Sequence, residues 1–260
     1  MGVPIYYVDA FTDQLFSGNP AAVIFSQIND EELMQNIAAE NNLSETAFIR
    51  EDNGIYHIRW FAPLCEIDLC GHATLASAFI FFKYVNPDSS LFTVQSKKNG
   101  ALHVTKKGDL LVLDFPKDSL ALSQEIKLVE NIINIKPREL YGGRDDFLVI
   151  VDSEDLVQNL NINFELLNNI KARGLIVSSP GKDCDFVSRF FAPSAGVSED
   201  PVTGSAHTTL IPYWSKKLKK SKLLAHQISK RGGVLFCEDL GDRVHIGGKA
   251  IEYMKGDINI

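Results

Sequence analysis

The sequence predicts an α+β fold of two pseudo-symmetric domains, each a curled, mostly antiparallel, barrel-like sheet around a central helix. Three observations predict it: an internal repeat, a helix that is apolar on nearly every side, and strands that return through short Gly-Asp turns. The repeat is clearest where Arg59-Trp60-Phe61-Ala62-Pro63 comes back as Arg189-Phe190-Phe191-Ala192-Pro193, 130 positions later. Gly71 and Gly204, 133 apart, each open an apolar helical run, and the helical trio Leu33, Met34 and Ile37 matches Leu166, Leu167 and Ile170 at the same offset. Gln95-Ser96-Lys97-Lys98-Asn99-Gly100 is echoed by the stretch from Gln227 to Gly233. Self-similarity at about half the chain length reads as duplication. The first domain is therefore placed at 1–115 and the second at 116–260, joined by a polar linker from Pro116 to about Glu125. The tail 249–260 is free to pack back on the first.

Each half runs alike. An amphipathic helix comes first, Asp30 to Asn41, with Asn29 as candidate N-cap and Glu32 completing a capping box; its counterpart spans about Phe164 to Ala172. Strands follow at Thr46–Arg50 and Leu175–Ser179, then at Tyr56–Ala62 and Asp185–Ala192. The helix from His72 to about Tyr84 carries Ala73, Leu75, Ala76, Ala78, Phe79, Ile80, Phe81 and Phe82. An all-round apolar helix is surrounded by protein, which places it inside the curl of the sheet. The hairpins Ala101–Val104 with Leu110–Phe115, and Val234–Cys237 with Arg243–Ile246, turn at Gly108-Asp109 and Gly241-Asp242, and tight turns pair strands antiparallel. Pro212, two turns into the second central helix, predicts a kink or an early end.

Composition narrows the class. With 45% hydrophobic and 23% charged residues the chain can build a substantial core. A net charge of −7 argues against nucleic acid or an anionic membrane as partner, and the basic run Lys216-Lys217-Leu218-Lys219-Lys220 reads as a solvated helix end. Met1-Gly2-Val3-Pro4-Ile5 shows no leader pattern, and the apolar run Leu75–Phe82 is short of the ~20 residues that span a bilayer. Cys65, Cys70, Cys184 and Cys237 lack the close paired spacing of a zinc site, so the expectation is a reduced cytoplasmic chain with no metal.

Chemistry is expected between the halves, where each offers a helix start rich in small residues: Gly71-His72-Ala73-Thr74 and Gly204-Ser205-Ala206-His207. Unpaired N–H groups at such ends suit a carboxylate. Glu45 is instructive because the repeat breaks there: its counterpart is about Gly174. Taken alone it reads as a surface carboxylate at a loop–strand junction, but the duplication gives it a cleft and makes it a lone acid/base candidate. Asp200 either caps the second helix or orients a substrate hydroxyl or amine. His72, at a positive helix end, is expected as a neutral donor, or as a structural histidine. His207, a turn further in, reads as structural. Cys70 is a thiol that a helix N-terminus can acidify into a base; the matching residue of the other half is Thr203, so a pair of thiols on opposite faces of a carbon is absent.

Five stretches in order resemble the phenazine-biosynthesis isomerase (PhzF-like) family, which shares its fold with diaminopimelate epimerase. They are Val8-Asp9-Ala10-Phe11-Thr12, Phe16-Ser17-Gly18-Asn19-Pro20-Ala21-Ala22-Val23, Leu43-Ser44-Glu45-Thr46-Ala47-Phe48, Asp68-Leu69-Cys70-Gly71-His72-Ala73-Thr74, and Glu199-Asp200-Pro201-Val202-Thr203-Gly204-Ser205-Ala206-His207. The resemblance covers nearly the whole chain. It implies that Glu45 transfers the proton, that His72 and Asp200 hold substrate, and that Ser44 and the backbone around Gly71, Gly204 and Ser205 complete the site, with Asn19 and Cys70 as possible additions. It also implies a homodimer and catalysis without metal or organic cofactor. The family's best understood member moves a proton within a dihydro-hydroxyanthranilate ring. The reading is therefore a proton-shifting isomerase of a small carboxylate-bearing metabolite. The alternatives are a cysteine-assisted epimerase or racemase, and a non-catalytic metabolite-binding or protein-interaction module on the same fold.

Overall fold

The computed structural model describes residues 2–260; Met1, part of the stretch read for a leader, lies outside them. The chain forms two units, one from the residues up to Asp114 together with Gly247–Ile260, the other Phe115–Ile246.

In the first unit β1 (Val3–Ala10), β2 (Asn19–Phe25), α1 (Glu31–Asn41), β3 (Glu45–Asp52), β4 (Ile55–Phe61) and β5 (Glu66–Ile67) are followed by α2 (Gly71–Ile80), β6 (Leu91–Ser96), β7 (Gly100–Lys107) and β8 (Leu110–Pro116). β1–β2, β3–β4, β6–β7 and β7–β8 are antiparallel, while β2–β3 and β4–β6 are parallel. The sheet curls around α2, which packs on β1, β2, β3 and β7 and buries Ala73, Leu75, Ala76, Ala78 and Ile80. α1 covers the other face, Met34, Ile37 and Ala38 meeting Ala22, Ile24, Phe48 and Phe61.

The second unit repeats the scheme: β9 (Ala121–Leu122), α3 (Ile126–Ile133), β10 (Glu139–Gly142), β11 (Asp146–Ile150), α4 (Glu154–Gln158), α5 (Phe164–Leu167), β12 (Gly174–Pro180), β13 (Phe186–Ala192), β14 (Val197–Asp200), α6 (Gly204–Leu218), β15 (Lys222–Gln227), β16 (Gly233–Asp239) and β17 (Arg243–Gly248). β10–β11 antiparallel, β11–β12 parallel, β12–β13 antiparallel, β13–β15 parallel and β15–β16 antiparallel is the first unit's sequence of pairings again. The last strand, β18 (Ala250–Ile258), runs antiparallel to β1 with a bulge at Tyr7/Val8.

Equivalent residues hold equivalent contacts. Arg59 grips Glu66 through Nε and Nη2, both 2.7 Å from its oxygens, and lies 5.0 Å from the Phe61 ring centroid. Arg189 grips Glu199 at 2.6 and 2.8 Å and lies 5.0 Å from Phe191. The repeated Arg-x-Phe thus serves one purpose twice: a bidentate ion pair laid over an aromatic face.

Four expectations need correction. The N-cap of α1 is Asp30, whose carboxylate accepts from Glu32 N and Leu33 N, one residue later than Asn29. The counterpart helix expected at Phe164–Ala172 is a single turn, α5. The Asn168-Asn169 pair favours local side-chain bonding, with Asn169 Nδ2 on Glu165 O. Three short helices, α3 to α5, cover that face instead, through Val129, Ile132, Val157 and Leu167. α2 becomes π-helical over Phe81–Val85, where Phe81 stacks on Phe92 with centroids 4.5 Å apart. Pro212 does not end its helix: α6 runs on to Leu218. The carbonyl that Pro212 leaves without an i→i−4 donor belongs to Thr208, and Asp118 N–H supplies the missing bond at 3.1 Å.

The basic run closes α6, with Lys216 and Lys217 in its last turn and Lys219 as its left-handed C-cap. Among the described residues no helix is long and apolar enough to cross a membrane.

Candidate active site

Three element starts meet in the first unit. Asn19 opens β2, Glu45 opens β3, and Cys70-Gly71-His72 open α2. The register Ala21↔Glu45 sets Asn19 and Glu45 on adjacent strands. Gly18, at φ +67, makes the entry to β2: a Cβ there would stand 2.2 Å from Ala10 O, so only glycine turns the chain this tightly. Asn19 is fully buried, with Nδ2 3.1 Å from His72 Nδ1. That contact orients the ring so that Nε2 lies 3.0 Å from Glu45 Oε2. The approach has ion-pair distance but not hydrogen-bond alignment, and Oε2 is buried without a hydrogen-bond partner. Behind Glu45, Thr46 Oγ1 accepts from Asn41 Nδ2 at 3.0 Å, and Asn41 Oδ1 accepts from Tyr7 at 2.9 Å, bracing the start of β3. Ser44, half-buried, immediately precedes it.

Cys70 is the N-cap of α2, its sulfur accepting from Ala73 N at 3.5 Å and lying 3.5 Å from His72 Nδ1. The helix ladder itself leaves Gly71 N–H and His72 N–H unused. Burial, with the charge of Glu45 adding to it, pushes the Cys70 thiol up to about 11. The acidified thiol expected from its helix position is therefore overturned: desolvation outweighs the helix end. His72 differs from expectation too. Burial works against its charge, but Cys70 and Glu45 beside it outweigh that and hold its proton well above the ordinary imidazole range. Glu45, Cys70 and His72 also present ligand atoms within 4.8 Å of one another, the one such metal-capable group among the described residues.

The second unit carries the remaining expected residues. Asp200 ends β14, and its carboxylate accepts from Thr203 Oγ1 at 2.6 Å. Thr203 is the N-cap residue of α6, without a capping side-chain bond. Its N–H is taken instead by Gln227 Oε1 at 2.8 Å, while Gln227 Nε2 donates to Asp200 O at 2.7 Å. Gly204 and Ser205 are the first two residues of α6. Arg173, one residue before Gly174, pairs with Asp146 through Nε at 2.9 Å and through Nη2, and donates from Nη2 to Ser205 Oγ at 3.1 Å. Sequence reasoning missed Arg173 and Gln227. Gln227 stood in the stretch that echoes Gln95 to Gly100, and Arg173 stood next to the missing counterpart of Glu45.

That missing counterpart has a steric cause. The pairs Thr46↔Phe61 and Leu175↔Phe191 align Glu45 with Gly174. A Cβ on Gly174 would meet Phe190 Cζ at 2.5 Å and Phe191 O at 2.8 Å. No side chain fits where Glu45 would have its twin. Gly174→Ala is expected to destabilise the chain by about 1–3 kcal/mol through overpacking, measured as a lower urea midpoint at unchanged slope.

His207 is fully buried, with Nδ1 2.8 Å from Thr203 O and Nε2 buried without a partner. Burial depresses it to about 4, the signature of a neutral structural histidine.

The family model of PhzC-PhzF, phenazine biosynthesis-like protein, matches residues 8–256. An uncharacterized isomerase from Halalkalibacterium halodurans is 44% identical over 263 residues, covering 99% of this chain and 99% of that protein. The crystal structure of a phenazine biosynthesis protein of the PhzF family from Enterococcus faecalis superposes with a TM-score of 0.97 at 44% identity, covering 100% of both chains. A hydroxyproline epimerase from Agrobacterium vitis, 10% identical, gives a TM-score of 0.66 over 98% of this chain and 90% of that one, a likeness of fold alone.

Proposed function

This chain belongs to the phenazine biosynthesis-like PhzC-PhzF family, and from that premise we propose that it is an isomerase moving a proton on a small carboxylate-bearing metabolite, with Glu45 as the group that takes and returns it. The isomerase class comes with relatives that carry that name. The proton shift is supported above all by Glu45 Oε2, a buried carboxylate oxygen with no hydrogen-bond partner. Such an oxygen has a lone pair for a substrate C–H or O–H proton and is held in place by the start of β3. His72 Nε2, 3.0 Å away, balances the carboxylate charge and steadies it through each transfer. The N–H groups at the start of α2, around Gly71, suit a carboxylate; the backbone around Gly204 and Ser205 is kept as a further candidate on the family resemblance. Ser44 and Asp200 supply further polar contacts. The same reading keeps catalysis free of metal and organic cofactor and keeps the homodimer that the family resemblance implies, together with the cytoplasmic placement expected from the unpaired cysteines.

One carboxylate removes and returns a proton on the same face, which suits an allylic or tautomeric shift. An epimerase led by Cys70 needs a thiolate, and a thiol pushed up to about 11 supplies almost none near neutrality. A thermal-shift screen of small carboxylic acids, followed by incubation of each hit in D2O, tests the proposal. The expected result is a stabilising acid that takes up one solvent deuteron at a carbon. If no carboxylic acid stabilises the protein and a protein partner co-purifies reproducibly, the binding-module reading replaces it.

A further inference from the structure

The two units also differ away from Glu45. In the first, the pairs Arg50↔His57 and His57↔Gln95 set three polar residues in a row across β3, β4 and β6, about 10 Å from end to end at ordinary strand spacing. The equivalent row of the second unit is Ser179↔Val187↔His226. There α4 packs on β12 and β13, and Val187 joins Val157 of α4 in the core. Lys97, two residues beyond Gln95, is matched by Ile228, which packs on that same core. Between β2 and β3 the first unit has α1, where the second has both α4 and α5 between β11 and β12. The place that α4 takes is in the first unit an open cavity of about 250 Å³. The row lines it with Arg59 and Lys97, beside the apolar Met34 and Phe48. Arg50, His57 and Gln95 are half-buried, and their side chains pair with no other described residue.

The repeated arginine shows what this place binds. Arg189 Nη1 donates to Val157 O and Gln158 O, each at 3.2 Å, which are the last carbonyls of α4. Arg59 grips Glu66 with the same two nitrogens as Arg189 grips Glu199, and its Nη1 meets no acceptor among the described residues. Glu31 and Glu66 offset the charge of Arg59, and Lys97 Nζ lies 3.7 Å from Glu66 Oε2. Arg50 has no such offset. A second apolar helix does not suit the groove, because it would bury Lys97 and the nitrogens of His57 unpaired. An anion does.

We propose that this groove binds a phosphate group, either free or as the monoester of a small metabolite. Donors reach it from three neighbouring strands, and phosphate offers three strong acceptor oxygens where a carboxylate offers two. The cavity is smaller than the ~300–1,000 Å³ of drug-sized ligand sites, which limits the ligand to a small one. Arg50 stands five residues along β3 from Glu45, about 16 Å away and, by strand alternation, on the opposite face of the sheet. The site is therefore separate from Glu45 and stands whether or not Glu45 transfers a proton.

Calorimetric titration of the purified chain with inorganic phosphate, phenyl phosphate and malonate provides the test, alongside backbone amide NMR spectra at each addition. One phosphate group per chain is expected to bind saturably, with amide shifts centred on Arg50, His57 and Gln95. The shifts locate the ligand on the native chain, independently of how any variant folds. Arg50→Gln is expected to weaken binding by about tenfold or more, the loss of a hydrogen bond from a charged group. Lys216→Gln, at an exposed lysine of the second unit, leaves it unchanged. Tighter binding of phenyl phosphate than of inorganic phosphate supports a monoester, its carbon part on Met34 and Phe48; the reverse order, or equality, supports the free ion. Malonate binding as tightly as either phosphate overturns the choice of phosphate. No saturation, shifts centred elsewhere, or an affinity unchanged in Arg50→Gln overturns the site.

Discussion

Glu45→Gln is expected to lower the rate of solvent-deuteron uptake into any carboxylic acid turned over by this protein by about a thousandfold, the middle of the range for a positioned acid/base. The amide is isosteric and cannot take a proton at neutral pH, while its oxygen can still occupy the place of Oε2. Thermal stability is therefore expected to change little, and hits from the binding screen should still raise the melting temperature. A second readout is independent of the substrate. Burial works against the charge on His72, and the neighbouring Glu45 charge opposes that effect. With the carboxylate gone, burial prevails, and the His72 titration followed by NMR should move downward. A variant that keeps near-normal exchange would remove Glu45 from the chemistry. Lost exchange with an unmoved His72 would instead mean that the two side chains do not interact in solution.

Much of this arrangement could be read from residue order. The duplication was legible because its marks are residues with one packing solution: an Arg two positions before a Phe needs both the ring and a carboxylate partner, and both units supply them as Glu66 and Glu199. The glycines of the Gly-Asp hairpins were legible because they turn with positive φ, Gly108 at 62° and Gly241 at 91°. Glu45, Cys70 and His72 were found as candidates because they stand at element starts within motifs. Their electrostatics were not. Helix position argued for an acidic thiol and a neutral imidazole, whereas burial raises the thiol and the charged neighbours of His72, overcoming burial, hold the imidazole's proton. Arg173 with Asp146, and Gln227 with Thr203, are contacts 27 and 24 residues apart in the chain, and no local period announces them. Pro212 shows the same limit. The proline and its lost i→i−4 bond were visible, but the compensating donor that lets the helix run on, Asp118 N–H, comes from 90 residues upstream of Thr208 and from outside the helix.

The pH dependence of stability should carry the mark of His207. Its folded-state value of about 4 lies below the ordinary 6.5, so between those values the unfolded chain binds a proton that the folded chain refuses. Stability then falls as pH falls. The gap, at 1.36 kcal/mol per pH unit, corresponds to about 3 kcal/mol lost by pH 4. The groups facing the ring explain the sign. Thr203 O accepts from Nδ1 in the neutral ring, the Phe186 ring lies 5.9 Å away between centroids, and Nε2 has no acceptor for a second proton. His72 acts on the other side of 6.5. Its raised folded-state value makes the stabilisation it contributes complete below 6.5 and progressively lost as pH rises through the folded value. Urea unfolding at steps from pH 7 to pH 4.5 should show native stability declining within His207's window. In His207→Asn, whose amide nitrogen can replace Nδ1 on Thr203 O, the chain should be less stable at pH 7 but lose less on acidification. An identical slope in the variant would show that His207 titrates as it does in the unfolded chain, and that the cluster beneath the start of α6 admits water.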